Sequence, residues 1–247
     1  MKKLKQAVSY VLVFLTVFSS FTILPSEFFH SAAVYAADLL TGQSGAKETY
    51  TEGDFTYSLI NDYMEVEIVS YNGSSTDVVI PDVATGSEIA AIAGKKVTAI
   101  GNSVFSGKGL TSVTFGKNIK TIGNYAFENN KALTEIDLSV CTGLTTIGER
   151  AFQNNDVLTT LTLPDSLQTI GNRAFYSCDK FNSIILYDAL VSIGKDAFAE
   201  CPNLTVWCNE GTVGHTYVLE NNMTYEILNP DAEPETVLKD GVTYYVM

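Results

Sequence analysis

Histidine and basic residues are scarce in this chain of 247 residues. Two histidines leave little material for His-based metal sites or catalytic triads. The 15 basic residues face 28 acidic ones, which gives a net charge of −13. Phosphate contacts need clustered Lys and Arg, so this balance argues against binding to nucleic acid or to anionic membrane surfaces. Hydrophobic residues make up 46% of the chain and charged ones only 17%, which indicates a folded protein.

The N-terminus has the pattern of a secretory signal peptide. Lys2, Lys3 and Lys5 precede an apolar stretch over residues 7–25, and small residues follow over 31–37. We expect cleavage after Ala36, so residues 1–36 are the signal peptide, residues 37–52 are a linker and the protein is secreted or at the cell surface. The alternative is an uncleaved transmembrane anchor, for which the apolar stretch is long enough.

The dipeptide Ile-Gly recurs five times at steps of 22 to 25 residues, and a Phe follows each Ile five positions later. Such self-similarity is typical of stacked repeats. The dipeptides begin at Ile100, Ile122, Ile147, Ile170 and Ile193, and the aromatic residues are Phe105, Phe127, Phe152, Phe175 and Phe198.

Each repeat combines a short strand with a turn. Residues 158–163 carry β-branched residues with apolar side chains at alternating positions, which favours a strand with one buried face. Residues 124–127, after the Ile-Gly, favour a helical turn, and the glycine suits a kink or a close backbone approach. Strands stack at ~4.8 Å and helical turns at ~8–10 Å, so we expect an α/β solenoid of about five repeats, with parallel strands on its concave face.

The repeat resembles the BspA-type leucine-rich repeat. The pattern Ile-Gly-x-x-Ala-Phe-x-x-Cys-x-x-Leu-x-x-Ile is seen from Ile170 through Cys178 to Ile184, and the resemblance covers roughly residues 53–227. It implies a bacterial surface or secreted protein, of a kind associated with adhesion to host or bacterial proteins. No cofactor or metal site is indicated by the residues.

The repeats, predicted over residues 97–206, are flanked by different sequences. Residues 53–96 alternate as β-strands and predict an N-terminal cap, and residues 207–228 predict a strand-helix-strand C-terminal cap. Residues 229–247 begin as an acidic linker, after which 240–247 resemble 53–60. We expect there either the start of a second, truncated module or a final strand that folds back.

Four cysteines permit disulfides in an exported chain, but no Cys-x-x-Cys pair supports zinc or redox motifs. Cys178 and Cys201 occupy the position held by Asn130 and Asn155 in earlier repeats. Because those repeats do without sulfur, we interpret the cysteines of this column as buried thiols, and the column as side chains that bond to turn backbone.

The strand residues that point away from the core are rich in hydroxyl groups and form the candidate protein-binding surface. Trp207 falls in the interior column by its spacing, and Val206 then faces outward. The candidate residues are Thr111, Ser112, Thr114, Thr134, Glu135, Asp137, Thr159, Thr160, Thr162, Asn182, Ser183, Ile185 and Thr205.

Two other functions compete with protein binding. Glu135 and Asp137 lie two residues apart on one strand, in the range of paired glycosidase carboxylates, so a glycan-active enzyme is a minor alternative. The other is a structural spacer in a larger surface protein. The acidic residues lie in the flanks while residues 93–206 hold ten of each charge, and solubility explains the acid more simply than calcium binding does.

Overall fold

The computed structural model describes residues 48–86, 89 and 91–228, together with the strands Glu235–Lys239 and Val242–Val246. The predicted signal peptide lies outside the described residues. Within the described part, no helix is long and apolar enough to cross a membrane.

Most of the repeats contribute two short strands, one on each side of the solenoid. In chain order the strands are β1 (Thr49–Glu52), β2 (Phe55–Ile60), β3 (Glu65–Tyr71), β4 (Asp77–Val79), β5 (Lys96–Ile100), β6 (Ser112–Thr114), β7 (Thr121–Ile122), β8 (Glu135–Asp137), β9 (Thr146–Ile147), β10 (Thr160–Thr162), β11 (Thr169–Ile170), β12 (Ser183–Leu186), β13 (Ser192–Ile193), β14 (Thr205–Cys208), β15 (Thr224–Ile227), β16 (Glu235–Lys239) and β17 (Val242–Val246), with helix α1 (Val213–Glu220) between β14 and β15.

These strands form parallel sheets along the solenoid. The first sheet has the order β1-β2-β3-β5-β7-β9-β11-β13, antiparallel up to β3 and parallel from there on. The second runs β8-β10-β12-β14-β15, all parallel, and β4 pairs with β6 on the same side. The fold is therefore a β-solenoid with parallel strands, as the repeat predicts.

The segments after each Ile-Gly are not helical, so this part of the prediction was wrong. Each contains two residues in the left-handed region, for example Tyr125 (φ 59°) and Asn129 (φ 61°). The segments hydrogen-bond to the next repeat: the N–H of Phe127 donates to the carbonyl of Ala151 at 2.7 Å. The sequence predicts a shorter strand side because helical turns stack farther apart than strands. The observed turns stack at the spacing of a β-sheet, so this reason no longer applies. Within the described residues, α1 is the only α-helix.

The Phe residues form a continuous stack through the core. Neighbouring rings in the series Phe105, Phe127, Phe152, Phe175 and Phe198 have centroids 5.0–5.4 Å apart and are nearly parallel. Tyr71 of the N-terminal cap and Tyr217 of α1 close the two ends of the stack. The caps thus shield the aromatic surface that an isolated repeat would expose to water.

The glycine of each Ile-Gly lies where two repeats approach closely. A Cβ at Gly171 would lie 2.5 Å from the backbone nitrogen of Glu149, and one at Gly194 would lie 2.3 Å from that of Asn172. The close approach that the sequence suggested is therefore the reason for glycine, since any side chain would push the repeats apart.

The asparagine and cysteine column bonds to the turn backbone, which confirms that prediction. The amide of Asn155 donates to the carbonyls of Phe127 and Phe152, and its Oδ1 accepts from the N–H of Asn130. The thiol of Cys178 donates to the carbonyl of Phe152 at 3.4 Å, and that of Cys201 to Phe175 at 3.1 Å. All four cysteines are free thiols.

The two ends of the solenoid differ in structure from the repeats between them. At the N-terminal end, β1 lies within the predicted linker and pairs antiparallel with β2. The C-terminal cap is β14, α1 and β15, and the side chain of Thr212 caps α1 by accepting from the N–H of His215. Beyond it, β16 and β17 form an antiparallel hairpin.

Candidate functional site

We define the strand face as the outward side chains of β4, β6, β8, β10, β12, β14 and β15, with the residue preceding β6, β8, β10 and β12. In each repeat the central residue of the strand points into the core and its neighbours point out. In β10, for example, Leu161 is buried while Thr160 and Thr162 are exposed. Alternation along a short strand therefore separates the residues that hold the solenoid together from those that meet solvent.

The structure places all the predicted site residues on this face. Thr111, Ser112, Thr114, Thr134, Glu135, Asp137, Thr159, Thr160, Thr162, Asn182 and Ser183 are exposed, and Ile185 and Thr205 are partly exposed. The corresponding residues lie side by side along the solenoid: Thr160 is in register with Glu135 on one side and with Ser183 on the other.

One column of the strand face has a structural role of its own. The hydroxyl of Thr159 donates to the carbonyl of Thr134 at 3.0 Å, and that of Thr111 donates to Oδ1 of Asp77 on the preceding strand at 2.8 Å. Because these hydroxyls bridge successive repeats, the column contributes to stacking. The two columns on the strands themselves are the ones left to vary.

Carboxylates lie toward both ends of the strand face, with Glu226 of β15 at the C-terminal end and the others on β4 and β8. Asp77 of β4 accepts from the hydroxyls of Thr111 and Ser112, both at 2.8 Å, and these hydrogen bonds lower the pKa of its carboxyl. Two strands further on, Glu135 and Asp137 are both exposed, and Oδ1 of Asp137 accepts from the backbone N–H of Ser139. The outward strand residues of β4, β6, β8, β10, β12, β14 and β15 include no basic side chain.

Trp207 belongs to the strand face, contrary to the sequence-based assignment. Ile184 is in register with Val206 and Ile185 with Trp207; Val206 and Cys208 are buried, and Trp207 is partly exposed. The last repeat is one residue shorter before its strand, which reverses the orientation of every side chain in β14. The sequence does contain a sign of this orientation. Val206 and Cys208 are alternating residues of types that are commonly buried, and Cys208 continues the buried column of Leu186.

No metal centre is indicated on this surface or elsewhere in the part of the chain that the structure describes. Within it, no three His, Cys, Asp or Glu side chains come together in a way that could hold an ion. Glu135 and Asp137 lie at opposite ends of the three-residue strand β8 with the buried Ile136 between them, on an open part of the strand face.

Two solved structures share the fold. The first is the leucine-rich repeat protein TpLRR of T. pallidum, at 28% identity and a TM-score of 0.58, covering 65% of this chain and 71% of that one. The second is the pneumococcal vaccine antigen PcpA, at 18% identity and a TM-score of 0.51, covering 68% of this chain and 51% of that one. No curated protein matches the sequence.

The family model of the BspA type leucine rich repeat region matches residues 91–212 in six copies. These six copies are one more than the five that the Ile-Gly dipeptides mark. The stacked Phe, Ile and Asn/Cys columns are the physical counterpart of this repeated pattern. Residues 91–212 of this chain are therefore BspA-type leucine-rich repeats.

Proposed function

We propose that this chain is a non-catalytic, secreted or cell-surface module that binds proteins of a host or of bacterial surfaces through the strand face. The observation that carries the proposal is that buried and outward residues alternate within each strand. The buried residues of the repeats hold the stack together, and the outward residues lie on two adjoining sheets, β4-β6 and β8-β10-β12-β14-β15.

The repeats and the predicted signal peptide favour protein binding outside the cell over the alternative functions. Leucine-rich repeats present a regular, rigid scaffold on which exposed strand residues can vary without disturbing the core. The signal-like N-terminus and the acidic flanks suit a protein that works outside the cell. Adhesion is the function that the resemblance implies for such a surface protein.

The size of the strand face sets the expected strength of binding. Seven strands at ~4.8 Å, each about three residues wide, give a surface on the order of 300–500 Å². A standard protein interface buries ~800 Å² on each partner. Binding through the strand face alone is therefore weak, and turns, caps or multivalent display have to add to it.

The test uses purified protein from residue 37 onward, the expected mature form, and a panel of purified host matrix proteins and bacterial surface proteins on a biosensor. We expect at least one partner, whose binding falls tenfold or more in the double variant Thr160→Lys/Thr162→Lys. The matched control is Thr121→Lys/Gln168→Lys, which adds the same charge at exposed positions on the other side of the solenoid. Equal binding by both double variants would remove the strand face from consideration, and no binding at all would favour a spacer role.

A further inference from the structure

The strand face is chemically uneven along the solenoid. Glu135 and Asp137 mark an acidic part on β8, whereas Ile185 and Trp207 form an apolar part on β12 and β14, which Glu226 of β15 borders on the far side. Between them lies the hydroxyl-bearing strand β10. We call these the acidic part and the apolar part of the strand face.

The apolar part consists of two adjacent side chains. Ile185 and Trp207 are directly in register, so their Cβ atoms lie side by side on one face of a parallel pair. Both are partly exposed, although the interior of the same repeat holds many large apolar side chains at full burial. Tryptophan is one of the residue types enriched among those that dominate binding energy at protein interfaces.

The acidic part has no internal counter-charge. Lys131 pairs with Asp156 at 3.2 Å and Lys120 pairs with Glu65, but in the part of the chain that the structure describes neither Glu135 nor Asp137 takes part in an ion pair. A cationic group of a partner would therefore meet carboxylates that no lysine or arginine of the described residues already neutralises.

The spacing between the two parts fits an extended polypeptide. Asp137 is in register with Thr162, and the same column continues through Ile185 to Trp207. Three steps of ~4.8 Å place Asp137 about 14 Å from Trp207. An extended chain rises ~3.3 Å per residue, so about four residues cover this distance, and residues i and i+4 of a strand point to the same side.

We propose that the strand face binds an extended segment of a protein partner that lies along the solenoid. An apolar or aromatic side chain of the segment packs against Ile185 and Trp207, and a Lys or Arg about four residues away meets Glu135 and Asp137. This inference rests on the proposed function, and it assigns the chemistry of the partner.

The experiment selects binders from a phage-displayed library of random twelve-residue peptides, with the protein from residue 37 onward as the target. We expect enriched peptides to carry an apolar or aromatic residue three to five positions from a Lys or Arg. Trp207 is the only tryptophan of the chain, so its fluorescence reports occupation of the apolar part directly.

Variants then test each part with the selected peptides. Trp207→Ala should weaken binding tenfold or more while Trp207→Phe retains most of it, and Val191→Ala, an exposed apolar residue on the other side, should have no effect. The double variant Glu135→Gln/Asp137→Asn should also weaken binding tenfold and should reduce its dependence on salt. Thermal unfolding of every variant, compared with the unchanged protein, checks that the fold is intact.

The outcomes separate this inference from the proposed function. If Thr160→Lys/Thr162→Lys abolishes peptide binding but the Trp207 and carboxylate variants bind normally, the proposed function stands and the assigned chemistry is wrong. If all these variants bind alike, both fail. The assigned chemistry is also overturned if no peptide is enriched, or if a glycan array, and not the peptide library, yields ligands that Trp207→Ala loses.

Discussion

The core columns and the strand face of this solenoid obey different rules, although they alternate within the same strands. Along the core, the five repeats place Phe at one position and Ile at another without exception. Along the outward column of the strand face, the corresponding residues are Thr114, Asp137, Thr162, Ile185 and Trp207. At these two positions, stacking at β-sheet spacing favours the same shape in every repeat, because a misfit in one repeat is transmitted to its neighbours. Outside, apart from the column of Thr111 and Thr159 that links repeats, the fold does not require uniformity, so the differences between repeats are where binding specificity can be encoded.

The largest expected difference in stability between the core and the strand face comes from removing one ring of the Phe stack. Phe152 is fully buried between Phe127 and Phe175, with ring centroids 5.2 and 5.4 Å away. Phe152→Ala should lower the free energy of unfolding by about 3–5 kcal/mol, because it leaves a cavity in the middle of the stack. Urea denaturation followed by circular dichroism measures this. Thr160→Ala on the strand face is the control, with an expected change within about 0.5 kcal/mol; a cost below about 1 kcal/mol for Phe152→Ala would contradict the stacking.

The asparagine column should be nearly as sensitive. Asn155→Ala removes two donated hydrogen bonds and leaves the buried N–H of Asn130 without its acceptor, at a cost of about 2–3 kcal/mol. Asn155→Cys should cost less, because Cys178 and Cys201 serve in the same column with a thiol that donates to backbone carbonyl oxygen. The same denaturation experiment ranks the two variants. Equal stability of Asn155→Ala and the unchanged protein would show that the column contributes nothing.

Replacing either of two glycines by alanine gives a matched comparison, with a smaller expected loss of stability. Gly171→Ala should cost about 1–3 kcal/mol, because its Cβ would lie 2.5 Å from the backbone of Glu149. At Gly143 the only neighbour of a Cβ is the side chain of Lys120 at 3.8 Å, so Gly143→Ala should be close to neutral. Thermal unfolding of the two variants decides, and a similar loss in both would mean that repeat spacing does not require the glycine.

Reductant should not change the melting temperature, because the cysteines form no disulfide. Burial raises the pKa of the Cys141 thiol to about 12, so at pH 8 almost none of it is the reactive thiolate. We expect iodoacetamide to leave Cys141 unmodified in the folded protein, and four thiols to titrate after denaturation without reductant. Fewer than four thiols, or a lower melting temperature with reductant, would indicate a disulfide in place of the free thiols.

The core columns of this fold can be predicted from the sequence because their residue types repeat at a nearly fixed spacing. Ile122, Phe127 and Asn130 can each be placed from periodicity alone, and so can the outward Thr160 and Thr162 that flank a buried leucine. The turn geometry was less accessible, since left-handed backbone at Tyr125 or Arg150 is stabilised by hydrogen bonds between repeats that no single repeat reveals. Trp207 was misplaced because the last repeat lacks one residue before its strand, and a one-residue change of register exchanges the two faces.

The central claim is that the strand face, and not the repeat scaffold as such, carries the binding function. Its most direct test is the affinity of a partner from the purified panel for the unchanged protein, for Thr160→Lys/Thr162→Lys and for Thr121→Lys/Gln168→Lys, with the melting temperature of each. We predict that all three proteins melt within a few degrees of one another and that only the strand-face variant loses binding tenfold or more. Full binding by the strand-face variant, with its fold intact, would contradict the claim.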